Sequence, residues 1–308
     1  MESGRQDRLD ELRTMSKLLV KSNASETGIY QEITAERAGW KYLHFSARSL
    51  EGGQSWEGFT GDCEYAFVLL AGEFSIQSSA GDWKTVNGRK DVFSGLPHAV
   101  YLPRNTNFSL TPESPVLDIA CGYCETDRDF PARMITPEDV DRMGIEIRGG
   151  DNATRQINCI LPPGAECHRL VCVEVYTPSG NWSSFPAHKH DLRRLDDDGT
   201  LLEACLEEIY FYKLDKPQGY AIQRVYSDDR SLDELALAEE NDVVLVPYGY
   251  HPVIAAHGYN AYYLNFLAGS DQSLAFTDDP AHKWIYDSWT GLDPRVPVVT
   301  LEMNGRKS

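Results

Sequence analysis

The chain has 308 residues, of which 42% are hydrophobic and 25% are charged, so it carries enough apolar material for the core of one large domain or two ordinary ones. Its formal net charge of -18 at pH 7 repels nucleic-acid phosphates and anionic membrane surfaces, and we expect neither as a partner. The charge does not exclude an acidic small molecule, because a local cationic pocket overrides the global sign.

The N-terminal residues 1–14 are polar and highly charged, and we expect them to form a flexible extension or a short helix. The sequence contains no apolar run near the roughly 20 residues of a membrane helix and no apolar signal-peptide core at its start. Its seven cysteines are odd in number and scattered, which suits reduced thiols. Together these features predict a cytoplasmic protein.

After the extension, the chain consists of short β-rich runs separated by Gly, Pro, Asn and Asp. The runs that predict strands are Tyr65–Leu70, Phe74–Gln77, Ala99–Leu102, Val116–Ala120, Leu170–Tyr176, Ile209–Leu214, Tyr220–Tyr226, Val243–Val246 and Ala261–Leu267. Two further segments, Pro137–Met143 and Leu201–Glu207, are predicted helices. Many short strands with regular turns indicate a sandwich or a barrel.

A weak internal repeat divides the chain. LLAGEFSIQ followed by GRKDVFSGLPHAVYLP in the first half is similar to IYFYKLDKPQGYAIQ followed by ENDVVLVPYGYHP in the second. Each stretch predicts a hairpin, an Asp-Val turn and an apolar strand that ends at proline. We therefore predict two copies of one β-barrel unit, the first over residues 15–150 and the second over residues 151–308.

The stretch FPAHKHD contains His188 and His190, two residues apart. On a strand, residues i and i+2 point to the same face, so both imidazoles are predicted to face a barrel interior and Lys189 to point outward. A third histidine, His251, follows the apolar run VVLV, and Glu207 and Glu208 open the apolar run IYFY.

A carboxylate at the start of an apolar strand is costly to bury unless it is paired or binds a metal. Three imidazoles and one carboxylate suit a divalent transition metal, and they leave coordination positions open for water or substrate. The residues alone leave open whether Glu207 or Glu208 completes the set.

The order HxH, glutamate, PxGxH resembles the cupin superfamily. Longer stretches resemble one family within it, the 5-deoxy-glucuronate isomerases of myo-inositol catabolism; they are NWSSFPAHKHD, EEIYFYKLDKPQGYAIQRVYSDDRSLDE, VVLVPYGYHPV, AYYLNFLAG and DDPAHKWIYDSW. The resemblance covers nearly all of residues 15 to 300. It implies a mainly β fold of two tandem cupin (double-stranded β-helix, or jelly-roll) barrels, with a metal site in the C-terminal barrel and none in the first.

The resemblance also implies the metal ligands, namely His188, His190, Glu208 and His251. Glu208 is preferred to Glu207 because the pattern E-x-Y-F-Y resembles related uronate isomerases. Many cupins place this glutamate closer to the HxH pair than it lies here. The implied cofactor is one divalent transition metal (Zn, Mn, Fe, Ni or Co), with no nucleotide cofactor.

The implied reaction is an aldose–ketose isomerisation that converts 5-deoxy-D-glucuronate to 5-dehydro-2-deoxy-D-gluconate. The expected partner is therefore a small uronic acid. A divalent metal would polarise the carbonyl while a general base moves a proton between C2 and C1; a metal-assisted hydride shift is the competing route.

Candidates for the remaining roles follow from side-chain type and strand parity. Tyr210 and Tyr212 share the parity of Glu208 and are candidates either for acid/base catalysis or for core packing. Arg224 is the candidate partner of the substrate carboxylate, with a rim ion pair to Asp228 or Asp229 as the alternative. Ser183 and Ser184 are candidates for binding substrate hydroxyls or for stabilising a turn.

Two other classes of function are compatible with the sequence. One is another metal-dependent cupin enzyme, such as a related uronate isomerase or a dioxygenase. The other is a non-catalytic sugar-binding cupin. The sequence does not fix the oligomeric state, and a homo-oligomer is compatible with it.

Overall fold

The computed structural model describes residues 16–23 and 28–305, and the predicted extension over residues 1–14 lies outside them. Two antiparallel sheets form the first half of the fold. The six-stranded sheet consists, from edge to edge, of Arg133–Ile135, Ala99–Leu102, Cys63–Ala71, Val116–Glu125, Leu43–Glu51 and Ile29–Ile33. The four-stranded sheet consists of Trp56–Phe59, Asn107–Pro112, Phe74–Ser78 and Gly81–Lys84.

The second half repeats this arrangement. Its seven-stranded sheet consists of Leu19–Val20, Val243–Val246, Leu206–Leu214, Ala261–Gly269, Val171–Thr177, Arg155–Leu161 and Ile145–Arg148. Its four-stranded sheet consists of Trp182–Ser183, Val253–Ala255, Ala221–Tyr226 and Asp233–Ala238. Two short pairs join His188–Lys189 to Thr277–Asp278 and Arg194–Leu195 to Leu201–Glu203.

Helices are few and short in the described chain. The α-helices are Ala35–Ala38 and Pro137–Met143, and the 3-10 helices are Asp151–Ala153, Lys283–Ser288 and Leu301–Met303. The predicted helix Pro137–Met143 is confirmed, with a capping box between Thr136 and Asp139 that fixes its first turn.

The predicted helix Leu201–Glu207 is wrong. The segment instead forms the strand Leu201–Glu203 and the start of the strand Leu206–Leu214. Leu206 pairs with Gly269 of the neighbouring strand, so hydrogen bonds within the sheet replace those of a helix. Each of the predicted strands is confirmed, with ends that differ by a few residues.

Apolar side chains fill the space between the sheets of each half. The interior of the first barrel includes Trp56, Phe67, Phe74, Phe108, Leu110 and Ile119, and that of the second includes Ile157, Val173, Val175, Tyr210, Tyr212, Val244 and Tyr263. A third cluster lies between the two large sheets, where Phe45 packs against Phe211 and Phe266 with ring centroids 5.4 and 6.1 Å apart. The two barrels therefore bury their large sheets against each other.

Two glutamates make matching contacts across this interface. Glu64 of the first barrel accepts hydrogen bonds from the backbone N–H groups of residues 168, 169 and 170, and Glu207 of the second accepts them from residues 41, 42 and 43. Each carboxylate thus binds the backbone where a central strand of the other barrel begins. The match identifies Glu64 and Glu207 as equivalent positions of the repeat.

The boundary predicted between residues 150 and 151 stays a prediction. Strand pairing crosses it twice, because Leu19–Val20 pairs with Val243–Val246 and Ile145–Arg148 pairs with Arg155–Leu161. The described helices are all too short or too polar to cross a bilayer.

Candidate metal centre and active site

Three side chains of the second barrel converge on one point. His190 follows the short strand His188–Lys189, Glu208 lies near the start of the strand Leu206–Leu214, and His251 follows Val243–Val246. Glu208 Oε2 lies 3.0 Å from His190 Nε2 and 3.4 Å from His251 Nε2. All three residues are buried, and their ligand atoms lie within 4.8 Å of one another. This spacing suits a single bound metal ion.

Backbone carbonyls orient two of these imidazoles. His251 Nδ1 lies 2.8 Å from the Gly249 carbonyl oxygen, and His190 Nδ1 lies 3.3 Å from that of Leu206. Because a carbonyl only accepts, each Nδ1 donates its proton outward and each Nε2 faces Glu208. His251 Nε2 is buried and has no hydrogen-bond partner, which is a costly arrangement that a metal ion would relieve.

His188 lies beside this group rather than within it. Its ring centroid is 4.9 Å from that of His251 and 4.6 Å from that of Phe276. The structure therefore groups the ligand atoms of His190, Glu208 and His251 and places His188 next to them, so its role as a fourth ligand stays a prediction.

Burial and neighbouring charges set the protonation of these groups. Burial, with the nearby imidazoles, holds the pKa of His188 well below its usual value. Burial likewise lowers the pKa of His251 to about 4. The pKa of His190 is raised, because its hydrogen bond to Glu208 and the charge of that carboxylate outweigh the effect of burial. The negative charge of Glu208 thus favours a cation at the point where the histidine side chains converge.

The two adjacent glutamates have different surroundings. The Glu207 carboxylate is occupied by the three backbone N–H groups of residues 41–43. Glu208 points to the opposite face, into the barrel, because successive residues of a strand alternate. Of the two, Glu208 is the one placed to bind a metal.

Tyr210 and Tyr212 share the interior face with Glu208 and are buried. The Tyr210 hydroxyl lies 3.0 Å from Ser184 Oγ, and its ring centroid is 5.8 Å from that of His251. The Tyr212 hydroxyl donates to Gln223 Oε1 at 2.8 Å. Burial, with the Glu208 charge, holds the pKa of both phenols well above its usual value, so both are protonated donors at neutral pH.

Of the two predicted serines, Ser183 ends the strand Trp182–Ser183 and Ser184 begins the loop that leads to the metal centre. Ser184 Oγ lies near the hydroxyls of Tyr210 and Tyr263, on the interior side of the barrel. Ser183 is fully buried, and its Oγ accepts a hydrogen bond from Thr177 at 2.8 Å. Ser184 contacts both Tyr210 and Tyr263, and Ser183 also interacts with Tyr263.

Arg224 points to the outer face of its strand. Its guanidinium makes two hydrogen bonds of 2.7 Å to the Asp233 carboxylate and lies over the Tyr226 ring. Its neighbour Gln223 is the residue that faces the interior. The structure therefore separates Arg224 from the metal centre by the thickness of the strand, and its role in binding substrate stays a prediction.

Arg155 was not a candidate from the sequence. It is 5% exposed, and Nη1 donates to the carbonyl oxygens of Phe185 and Ala153. It forms no ion pair with any described carboxylate. Arg155 shares a strand face with Ile157, two residues further on, which belongs to the interior cluster. The available signal was an arginine at the start of the β-rich run RQINCIL, directly before the predicted barrel interior.

Lys189, predicted to point outward, is buried instead. Its ammonium lies 2.5 Å from Asp228 and 3.2 Å from Asp191 and above the Tyr250 ring. Strand parity alone did not show that the loops carrying these aspartates fold over the outer face.

Known proteins resemble the chain along almost its whole length. A family model described as the KduI/IolB family matches residues 18–285. A protein named 5-deoxy-glucuronate isomerase from Geobacillus kaustophilus (strain HTA426) is 40% identical over 276 residues, which is 89% of this chain and 97% of the relative. The protein of the same name from Bacillus subtilis (strain 168) is 36% identical over 279 residues, 89% of this chain and all of the relative.

Solved structures give the same picture of the fold. The crystal structure of an IolB-like protein from Salmonella typhimurium superposes with a TM-score of 0.82 at 38% identity and covers 88% of this chain and 99% of that one. A mutant of oxalate decarboxylase from Bacillus subtilis superposes with a TM-score of 0.58 at 12% identity over 90% of this chain and 87% of its own. At that identity the likeness concerns the fold alone, and it confirms the two tandem cupin barrels.

Proposed function

The chain belongs to the KduI/IolB family, and from this membership we propose that it is an isomerase that converts 5-deoxy-D-glucuronate to 5-dehydro-2-deoxy-D-gluconate in myo-inositol catabolism. The observation that carries the proposal is the near full-length identity of 36 to 40% to proteins named for this activity. The converging His190, Glu208 and His251 support the proposal, because they would hold a metal ion next to the substrate.

The donor set fits a divalent transition metal held by His188, His190, Glu208 and His251. Nitrogen donors with a single carboxylate accept Zn, Mn, Fe, Ni or Co, so the donor set does not distinguish among them. When bound, such an ion polarises the carbonyl of an open-chain sugar and stabilises negative charge on its oxygens. The buried, unpartnered Nε2 of His251 is the feature of this chain that the ion would satisfy.

The tyrosines and serines next to the metal centre would orient the substrate. Burial raises the pKa of Tyr210, so its hydroxyl is protonated at neutral pH and would donate a hydrogen bond to a substrate oxygen. Ser184, in contact with Tyr210, would bind a hydroxyl group of the sugar. Tyr210 and Tyr212 remain the candidates for proton transfer.

The carboxylate of the substrate needs a cationic partner. Arg224 already binds Asp233 on the outer face. Arg155 is buried, has no carboxylate partner among the described residues, and faces the interior beside the loop that carries Ser184. We therefore favour Arg155 over Arg224 for this role, because an unpaired buried charge is costly and the substrate carboxylate would compensate it.

The direct test is an assay of the purified protein with 5-deoxy-glucuronate, with neither nucleotide nor oxygen supplied. We expect formation of the ketose product, about one divalent metal per chain by elemental analysis, and loss of activity after chelation. Oxygen consumption would instead indicate a dioxygenase, and binding without turnover a sugar-binding cupin. A cytoplasmic location and a homo-oligomeric assembly stay predictions alongside this proposal.

A further inference from the structure

The first barrel has a cavity at the position that corresponds to the metal centre of the second. The equivalence of Glu64 and Glu207 places Tyr65 where the second barrel has Glu208, since each follows its glutamate by one residue on the same strand. Tyr65 lines a cavity of about 100 Å³. The mouth of a barrel is a common position for a bound ligand. In the first barrel, aromatic and polar side chains line this position in place of metal ligands.

Aromatic rings form most of the wall. Tyr65 and Tyr123 are stacked with ring centroids 4.6 Å apart, and Trp56 packs edge-on against Phe108 at 5.8 Å. Phe59 stands at the mouth with 54% of its surface exposed. A set of flat rings around a small opening offers contact area to the face of a compact ligand.

One cation in this cavity lacks a counter-charge in direct contact, because the Glu32 carboxylate attracts it only from a distance. The Arg48 guanidinium lies over the Trp56 ring at 3.8 Å, and Arg48 forms no ion pair with any described residue. Its Nε is buried and has no hydrogen-bond partner. A buried donor without a partner costs free energy, and a carboxylate is the group that best matches a guanidinium edge.

Two polar side chains beside Arg48 narrow the ligand class. Ser46 and Glu32 also line the cavity. Glu32 disfavours a bare anion, but its carboxylate accepts hydrogen bonds from hydroxyl groups, and Ser46 both donates and accepts. A ligand with one carboxylate and several hydroxyls matches all three residues.

We propose that this first-barrel cavity binds a sugar acid, with the ligand carboxylate on Arg48 and its hydroxyls on Ser46 and Glu32. The enclosed volume holds the carboxylate end of the ligand, and the rest lies against Phe59 at the mouth. The inference does not depend on the isomerase activity, because it concerns a cavity in the other barrel.

The test titrates the full-length protein with D-glucuronate by calorimetry and compares it with Arg48→Met. The wild-type protein is expected to bind one more molecule of D-glucuronate per chain than Arg48→Met does. If the variant still binds at this site, its Kd is expected to be at least tenfold higher than that of the wild type. Crystals soaked in D-glucuronate are expected to show the ligand beside Arg48. Isomerase kcat/KM of Arg48→Met is expected to equal that of the wild type.

Two controls ask whether binding depends on this arginine and on the carboxylate of the ligand. Arg104→Met removes an arginine of the same barrel that is paired with Asp129, and it is expected to bind like the wild type. D-glucose, which lacks the carboxylate, is expected not to occupy the cavity.

If Arg48→Met does not fold, Phe59→Ala replaces it, since an exposed ring is dispensable for folding but would contact the ligand. Equal binding by wild type and variants, an empty cavity in soaked crystals, or equal occupancy by D-glucose would overturn the proposal.

Discussion

Glu208 and Glu207 are chemically identical neighbours that face opposite ways, and their environments assign them opposite tasks. Glu208 lies between two imidazole nitrogens inside the barrel. Glu207 holds the backbone of another strand at the interface between the barrels. Because the two side chains are identical, only their contact partners distinguish the role of Glu207 from that of Glu208.

Glu208→Gln is expected to abolish metal binding and to lower kcat/KM by about 100-fold or more, because an amide lacks the negative charge that attracts the cation. Glu207→Gln is the matched control. It is expected to retain the metal and to lower the free energy of unfolding by about 1–3 kcal/mol, because an amide oxygen replaces a carboxylate that accepts three N–H bonds. Elemental analysis and chemical denaturation check the pair, and loss of metal in Glu207→Gln alone would reverse the ligand assignment.

The two candidate arginines also differ by partner. Arg155→Met is expected to raise KM and to lower kcat/KM for 5-deoxy-glucuronate by about 10- to 100-fold, because a charge-assisted hydrogen bond to the substrate is lost. Arg224→Met, which breaks an exposed ion pair, is expected to change kcat/KM less than threefold (about 0.7 kcal/mol). Steady-state kinetics at equal metal content compares them. A large effect in Arg224→Met with none in Arg155→Met would restore the assignment made from the sequence.

At the scale of elements, the segment Leu201–Glu207 shows where local preference fails. Leu, Glu and Ala are good helix formers, and the run LLEACLEE contains little else. The structure instead uses Leu206 and Glu208 as alternate interior residues of a long central strand. Pairing with Ala261–Gly269 and burial of Leu206 outweigh the helix propensity, which is worth only tenths of a kcal/mol per residue.

The starts of two central strands depend on carboxylates from the opposite barrel. Glu64 is fully buried and accepts three backbone N–H bonds at residues 168–170. Glu64→Gln is expected to lower the free energy of unfolding by about 1–3 kcal/mol, with metal content unchanged. Glu57→Gln, an exposed residue of the same barrel, is the control and is expected to change stability by less than about 0.5 kcal/mol. An unchanged denaturation midpoint in Glu64→Gln would refute the anchoring role.

For the whole molecule, the contact between barrels contains a buried ion pair. Arg89 Nη2 of the first barrel lies 2.5 Å from Glu174 Oε1 of the second, and both side chains are fully buried. The hydroxyls of Tyr176 and Tyr262 donate to the same carboxylate. The network ties the two barrels together, because Arg89 of the first barrel binds Glu174 of the second and the Tyr176 hydroxyl of the second barrel donates to the Val92 carbonyl of the first.

Arg89→Met is expected to destabilise the protein by about 3–5 kcal/mol, because it leaves the Glu174 carboxylate buried without its cation. Arg104→Met, which breaks an exposed pair with Asp129, is expected to cost less than about 1 kcal/mol. Thermal and denaturant unfolding measure both. Equal midpoints for the two variants would show that the buried pair does not stabilise the docking of the barrels.

The sequence by itself determined the mainly β class and nine strands, which follow from local patterns: apolar runs of strand length and the turn residues between them. A local pattern is enough for these features, because the alternation of residues along a strand fixes which face of the sheet each side chain occupies. The two cupin barrels and the choice of Glu208 in the four-ligand set came from the family resemblance, which rests on longer stretches that include the motifs HxH and PxGxH.

Only the tertiary structure decided which charged groups already have partners. It showed that the Glu207 carboxylate is bound by backbone N–H groups, that Arg224 binds Asp233 and that Lys189 is buried. It also showed that Arg155 and Arg48 form no ion pair with any described residue. Pairing between residues far apart in the chain depends on how loops and barrels dock. Because a hydrogen bond needs its two heavy atoms within about 3.2 Å of each other in space, no local pattern in the sequence records it.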